Sequence, residues 1–442
     1  MTQPDTSLLA LAERVVDFAR EKGANELAVS LQKGRFVELE RRDGKLDKIR
    51  EASSSGLQLE LYVDQRYSSH STSDLRWEAL SSFIERGIAM TRLLAVDPHR
   101  GLADPSLYEN RQERELLIED PAISALEPEQ RKDLAARLEE GARQVQGPII
   151  SIESGYYDSF GESIRVHSNG FVGANRSTSF WMGASVALDD PSGRKPSDGL
   201  WVGSRFFNDL EDPVQLGRAC TERALGRLNQ EKLDSGEYTV IFENRVSGQF
   251  LRHFMRALSG SALQQQRSFL ADKVGQSVTA PLLNLYDNPF VEKGFGSRLY
   301  DADGISAAPR TLIEEGRLVD FLIDVYYARK LGRAPTGGST SNLECKLGER
   351  DLDSIVASTP KGILVRGMLG GNSDTTRGDF SHGIHGFEIV DGKLGRSIGE
   401  MNISGNHSTF WQQLVELGND PYVYSSYRIP SLVFEKVNVS GN

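Results

Sequence analysis

The first regular pattern along the chain is helical. Leu8, Leu11, Val15, Phe18 and Ala19 recur at three- and four-residue spacing and Gly23 follows, so the spacing predicts an amphipathic helix over 7–22. Apolar and polar positions then alternate over 26–32, 36–41, 45–51 and 56–63, with Arg42-Asp43-Gly44 as a turn, the pattern of a strand meander. Helical spacing returns over 75–94, with Asp74 as its expected N-cap. Residues 97–127 are rich in Pro, Asp and Glu and keep no period, so they read as a long connection. A helix over 128–144 opens on Glu-Pro-Glu, strands resume over 149–189 around Ser168-Asn169-Gly170, and a further helix spans 213–229.

Asp234-Ser235-Gly236 leads into a new apolar strand at 238–242, which places a domain boundary between 1–235 and 236–442. Hairpins are predicted at Glu315-Gly316 and Asp391-Gly392, and the Gly-rich run 368–378 reads as a loop. Strands and helices in blocks, without strict alternation, define the α+β class. One segment, VSGQFLRHFMRALSGS (246–261), reads as a helix with two faces. Val246, Phe250, Phe254, Ala257 and Leu258 make an apolar stripe, while Gln249, Arg252, His253 and Arg256 lie off it. That cationic face suits a carboxylate or a peptide C-terminus, and it equally describes the solvated side of a packed helix, the commoner case.

Composition narrows the classes. A chain of 442 residues has room for two or three domains, and a net charge of −11 argues against a nucleic-acid coat. Two cysteines, Cys220 and Cys345, offer neither a disulfide framework nor a Cys-rich zinc site and fit a reducing compartment. There is no run of eighteen apolar residues and no signal-peptide pattern, so a cytoplasmic soluble protein is expected. His382, His385 and His407 form the densest histidine cluster. Gly383 and Gly386 argue for a loop there, and no acidic residue stands at a helical offset to act as base. GMLGGNSDTTRGDF fits neither a phosphate-loop spacing nor a dinucleotide fingerprint, and no Gly-x-Ser-x-Gly elbow occurs.

The segments ADGISAAPRTLIEEGRLVDFLIDVYYARKLG (302–332), GGNSDTTRGDFSHGIHGFEIVDGKLGRSIGEMNISGN (370–406) and GNDPYVYSSYRIPSLVFEKVNVSGN (418–442) resemble the TldD/PmbA family in order and spacing. The resemblance implies an N-terminal α/β domain with a strand meander and helices, and a C-terminal domain built on a large curved, mostly antiparallel sheet. It also implies peptidase work on unfolded or peptide substrates, and it brings an older label, modulator of DNA gyrase. The family's TldD type carries His-Glu-x-x-x-His on a helix and a cysteine near the C-terminus as its zinc site. Its PmbA (TldE) type lacks them and pairs with the first.

Aligned on Ala257-Leu258-Ser259-Gly260-Ser261, the zinc-motif positions fall on Leu251, Arg252 and Arg256, and 420–428 holds no cysteine. The resemblance therefore implies a PmbA-type subunit with no catalytic residue, metal or cofactor of its own. Zinc is expected in a TldD-type partner, with peptide or unfolded polypeptide as substrate. Pairing with itself when isolated stays open, and no contact with membrane or nucleic acid is expected. Arg252, His253, Arg256, Asp374, Arg377, His382 and His385 form the candidate substrate-binding set. Two alternatives stand beside this reading: an active metallohydrolase with a relocated site at His382, His385 and His407, and a regulatory binding protein without a peptidase partner.

Overall fold

The structure, a computed structural model, describes residues 6–442. Helix α1 (Thr6–Glu21) forms because Leu8, Ala12, Val15 and Ala19 fall on one face, and that face is buried. It packs with α2 (Trp77–Thr91) against Leu27, Val29 and Leu31 of β1 (Glu26–Arg42) and Leu57, Leu59 and Leu61 of β2 (Lys45–Val63). The four short strands expected here are two long ones. Lys33↔Ser55, Gly34↔Ser54, Arg35↔Ser53 and Phe36↔Ala52 continue the ladder through the polar, small-residue stretch, because backbone pairing does not require apolar side chains. Asp74 does not cap α2; its carboxylate accepts from the Arg76 N–H and guanidinium, and the helix begins after Arg76.

With β3 (Arg66–Thr72), β4 (Ile149–His167), β5 (Val172–Leu188) and β6 (Ser197–Ser204), these strands form one antiparallel sheet in the order β3-β2-β1-β4-β5-β6. The connection expected over 97–127 contains two short 3-10 turns, Pro105–Tyr108 and Pro121–Ala125. Helix α3 (Pro128–Gln144) has the expected limits, held by a capping box between Glu127 and Gln130. It packs with α4 (Pro213–Leu225) over Ile152, Tyr156, Phe180 and Met182, a second core on the same sheet. Helix α4 ends four residues before the predicted Asn229.

The C-terminal part starts with β7 (Gly236–Phe242) and α5 (Asn244–Met255). Strands β8 (Leu285–Asn288), β9 (Arg310–Glu314), β10 (Arg317–Leu318), β11 (Asn342–Cys345), β12 (Lys361–Ser373), β13 (Asp379–Val390), β14 (Lys393–Asn406), β15 (Leu414–Leu417), β16 (Tyr427–Arg428) and β17 (Leu432–Ser440) follow. They build a five-stranded sheet, β10-β9-β8-β11-β16, and a six-stranded one, β14-β13-β12-β7-β17-β15. The larger sheet curls until β14 meets β17 through Asn402↔Ser440 and Ile403↔Val439. Both predicted hairpin turns form: Glu315 and Gly316 (φ 45° and 75°) and Asp391 and Gly392 (φ 51° and 73°) take the positive φ values of type I′ turns.

Two segments read as loops are strands. The Gly-rich run lies largely in β12, and His382 and His385 lie in β13. Glycine is used in β12 for close approach: a Cβ on Gly371 would sit 2.5 Å from His382 Nδ1. The C-terminal core is aromatic around Phe250 of α5, which stacks on Phe242 (4.9 Å between centroids) and meets Phe380 (5.2 Å) and Phe410 (5.1 Å). Phe250→Ala should therefore cost about 3–5 kcal/mol in a denaturant melt of the C-terminal part; a loss under about 1 kcal/mol would show that α5 is not seated in this core.

Candidate functional site

Helix α5 is placed by Glu243. Its N–H donates to the Val365 carbonyl (3.1 Å), and its own carbonyl accepts from Val246 (2.7 Å) and Ser247 (3.0 Å) to start the helix. Its carboxylate accepts from both terminal nitrogens of Arg223 of α4 (2.9 and 2.7 Å), and Arg223 also donates to the Arg366 carbonyl (2.6 Å). The buried face of α5 is wider than its apolar stripe and includes Ser247, Gly248, Leu251 and Met255. Gln249, Arg252 and Arg256 remain exposed and His253 is half-buried.

The two arginines carry the charge of this face. The Arg252 guanidinium lies 4.7 Å above the Tyr427 ring, and among the described residues no carboxylate pairs with Arg252 or Arg256. The His253 and His382 rings are in contact at a tilt of 38°, 4.6 Å between ring centroids. His253 Nδ1 and both ring nitrogens of His382 make no well-formed hydrogen bond, although the Gly370 backbone comes near enough to His382 to favour its protonated form. Burial, with His253 beside it, nonetheless pulls His382 down to about 4. Burial, then the charges of Arg256 and Arg252, lowers His253 as well.

His407 is fully buried among Phe250, Phe269 and Phe380. The Trp411 indole N–H donates to its Nδ1 (3.1 Å), which assigns the proton to Nε2 for donation to Ser373 Oγ (2.9 Å). Burial pulls this imidazole down to about 3. His385 has other surroundings. It pairs with Gly367 between two bulges of β13, and burial followed by the Arg227 charge lowers it to about 4, with Arg223, Arg366 and Asp198 also near. Three residues apart along β13, the two side chains leave opposite faces of the strand, so His385 joins the arginines between the two parts of the chain while His382 faces the aromatic core.

Asp374 and Arg377 form the tip of the β12–β13 hairpin. Asp374 accepts from the Thr376 N–H (2.8 Å), the main reason its carboxyl lies below the ordinary range, and this role is that of a turn builder. Arg377 is exposed and offers its carbonyl to Asn406 (2.8 Å). The tip is linked to α5 indirectly. The Thr375 carbonyl accepts from the Phe269 N–H (3.0 Å), and the Phe269 ring meets Phe254 (5.8 Å) and stacks on His407.

Of the predicted set, His253 and His382 are in contact, Arg252 and Arg256 flank them, and His385 is apart. Sequence reading missed Tyr427, although it lies in the conspicuous tyrosine-rich run 422–427. It also missed Arg223 and Glu243, whose pairing no local pattern signals. The arrangement offers two unpaired guanidiniums beside neutral imidazoles, which is an anion-holding surface. Among the described residues, no group of three or more His, Cys, Asp or Glu side chains is placed to hold a metal ion.

The fold belongs to a recognisable class. The chain matches the PmbA/TldA metallopeptidase domain 1 over residues 27–91, the central domain over 121–228 and the C-terminal domain over 235–441, and it belongs to the PmbA/TldD metallopeptidase family. Metalloprotease PmbA of Escherichia coli O157:H7 is 27% identical over 424 residues, 94% of this chain and 92% of that protein. A Bacteroides thetaiotaomicron crystal structure, described as a candidate modulator of DNA gyrase, shares 39% identity, covers 99% of both chains and superposes with a TM-score of 0.96. TldE from Thermococcus kodakarensis has the same fold, with a TM-score of 0.84 over 98% of this chain and all of its own at 21% identity. No helix among the described residues is long and apolar enough to cross a membrane.

Zinc, which the family implies, does not fit positions 251, 252 and 256 of this chain. Leu251 has no lone pair and is 1% exposed within the core, and two guanidiniums carry fixed charge where a ligand and base would stand.

The buried imidazoles make stability pH-dependent. His382 and His407 titrate near 6.5 when unfolded and near 4 and 3 when folded, so the folded state binds fewer protons between those limits. Their contribution is complete above about pH 6.5 and is lost as pH falls toward 4 and then 3. The melting temperature should fall from pH 7 to pH 5, and His382→Phe, which suits the aromatic surroundings, should flatten that slope. An unchanged slope in the variant would mean that His382 titrates freely.

Proposed function

We propose that this chain is the non-catalytic, PmbA/TldE-type subunit of a cytoplasmic heterodimeric metallopeptidase that cleaves peptides or unfolded polypeptides. The observation that carries the reading is α5 itself: a helix seated in the core at the place the resemblance gives the zinc motif, with Leu251, Arg252 and Arg256 at its ligand and base positions. The relatives named PmbA and TldE support the subunit type.

In this role the chain holds substrate and performs no bond chemistry. Arg252, steadied over Tyr427, and Arg256 attract a carboxylate of the peptide, and no neighbouring acid competes with it. His253 and His382 are neutral near pH 7 and supply an apolar, hydrogen-bonding wall without adding charge. The zinc-bearing TldD-type partner supplies the hydrolytic chemistry.

Purified alone, the chain should show no metal-dependent cleavage of an unfolded casein substrate and no stoichiometric metal. Mixed with a TldD-type subunit it should co-purify and yield chelator-sensitive cleavage. The Arg252→Glu/Arg256→Glu variant should assemble normally and lower kcat/KM about tenfold or more, the scale of a lost charge-assisted contact. Metal-dependent cleavage by the isolated chain would overturn the reading.

A further inference from the structure

A cavity of about 420 Å³ lies between β9 and the segments 298–308 and 319–337, and α5 contributes nothing to it. Its volume is within the range of small-molecule sites. Much of the wall is apolar, including Ile305, Ala308, Leu312 and Phe321. Most of the charge in the wall is already neutralised. Arg310 donates to Asp287 (2.9 Å) and to the Gly337 (3.0 Å) and Ser339 (2.7 Å) carbonyls, and Asp320 pairs with Arg333 (3.1 Å).

Two opposite charges are left over. Asp301 is 9% exposed; its Oδ1 accepts from the Asp303 (2.9 Å) and Ile305 (3.0 Å) N–H groups, and among the described residues its Oδ2 has no hydrogen-bond partner. Oδ2 faces Gly337, where a Cβ would lie 3.4 Å from it. Burial, with Asp303 nearby, raises this acid to about 6 against the opposing pull of the Arg298 charge, which lies near without forming an ion pair. The Arg298 guanidinium is anchored to Ser339, through its hydroxyl (2.9 Å) and its carbonyl (2.6 Å), and among the described residues no carboxylate pairs with it. A pocket wall that holds a buried carboxylate and a half-buried guanidinium, neither in an ion pair among the described residues, is complementary to a ligand bearing both opposite charges.

We infer that this cavity binds a short zwitterionic peptide, with its free ammonium on Asp301, its free carboxylate on Arg298 and its side chains on the apolar wall. The inference is independent of which subunit cleaves substrate and does not involve the α5 face.

Glycyl-L-leucine titrated into the purified full chain, followed by ligand-observed NMR and calorimetry, tests it. Saturable binding near millimolar Kd is expected, as suits a ligand of this size. N-acetylation, C-terminal amidation, Asp301→Asn and Arg298→Gln should each weaken it tenfold or more. The ligand derivatives act on the unaltered protein, so misfolding of a variant does not decide the outcome. No saturable binding at about 10 mM, well above that Kd, or equal binding of the N-acetylated peptide, would overturn the assignment.

Discussion

The buried pair of Arg223 and Glu243 holds the two parts of this chain in register. Burial alone would lower the guanidinium, but the Glu243 carboxylate outweighs it and holds Arg223 above its ordinary value. Removing either partner would leave the other with only its longer ion pair, Arg223 with Asp198 (3.4 Å) or Glu243 with Arg366 (3.6 Å). Position matters as much as energy. Glu243 is at once the acceptor for α4, a neighbour of β12 and the residue whose carbonyl starts α5. The direction of α5, and so the placement of Arg252 and Arg256, is referred back to a helix of the N-terminal part.

That placement explains how α5 keeps its seat with no metal ligand at 251, 252 or 256. The seat is Phe250, Leu251 and Phe254 in an aromatic core that includes Trp411 and Phe434. None of those contacts requires a metal. The solvent side is then free to carry different charges, and here it carries guanidiniums that no acid among the described residues neutralises. The neutral imidazoles beneath them keep the surface from acquiring further charge near pH 7.

Features encoded locally were legible in the sequence. Helix α3 was readable to the residue because Pro128 and the Glu127–Gln130 box fix its start, and both type I′ hairpins were readable because few residues accept their φ values. The two faces of α5 followed from its period. Features fixed by distant partners were hidden. Residues 52–55 and 368–373 look like loops until a neighbouring strand supplies their hydrogen bonds. His382 and His385 look like a pair until the strand that carries them sets their side chains on opposite faces. The Asp301 cavity draws on segments too far apart for any spacing rule.

The closure of the larger C-terminal sheet bears on how the protein is made. Strand β7 is the first strand of that sheet to be synthesised, yet one of its two neighbours is β17, about two hundred residues later. Until β17 emerges, β7 has an open edge and β14 lacks its seam partner, whereas the N-terminal sheet already has all six of its strands. The first part can therefore fold on the ribosome while the second waits as an incomplete sheet. The nascent chain carries its vulnerable edge in the half that bears α5.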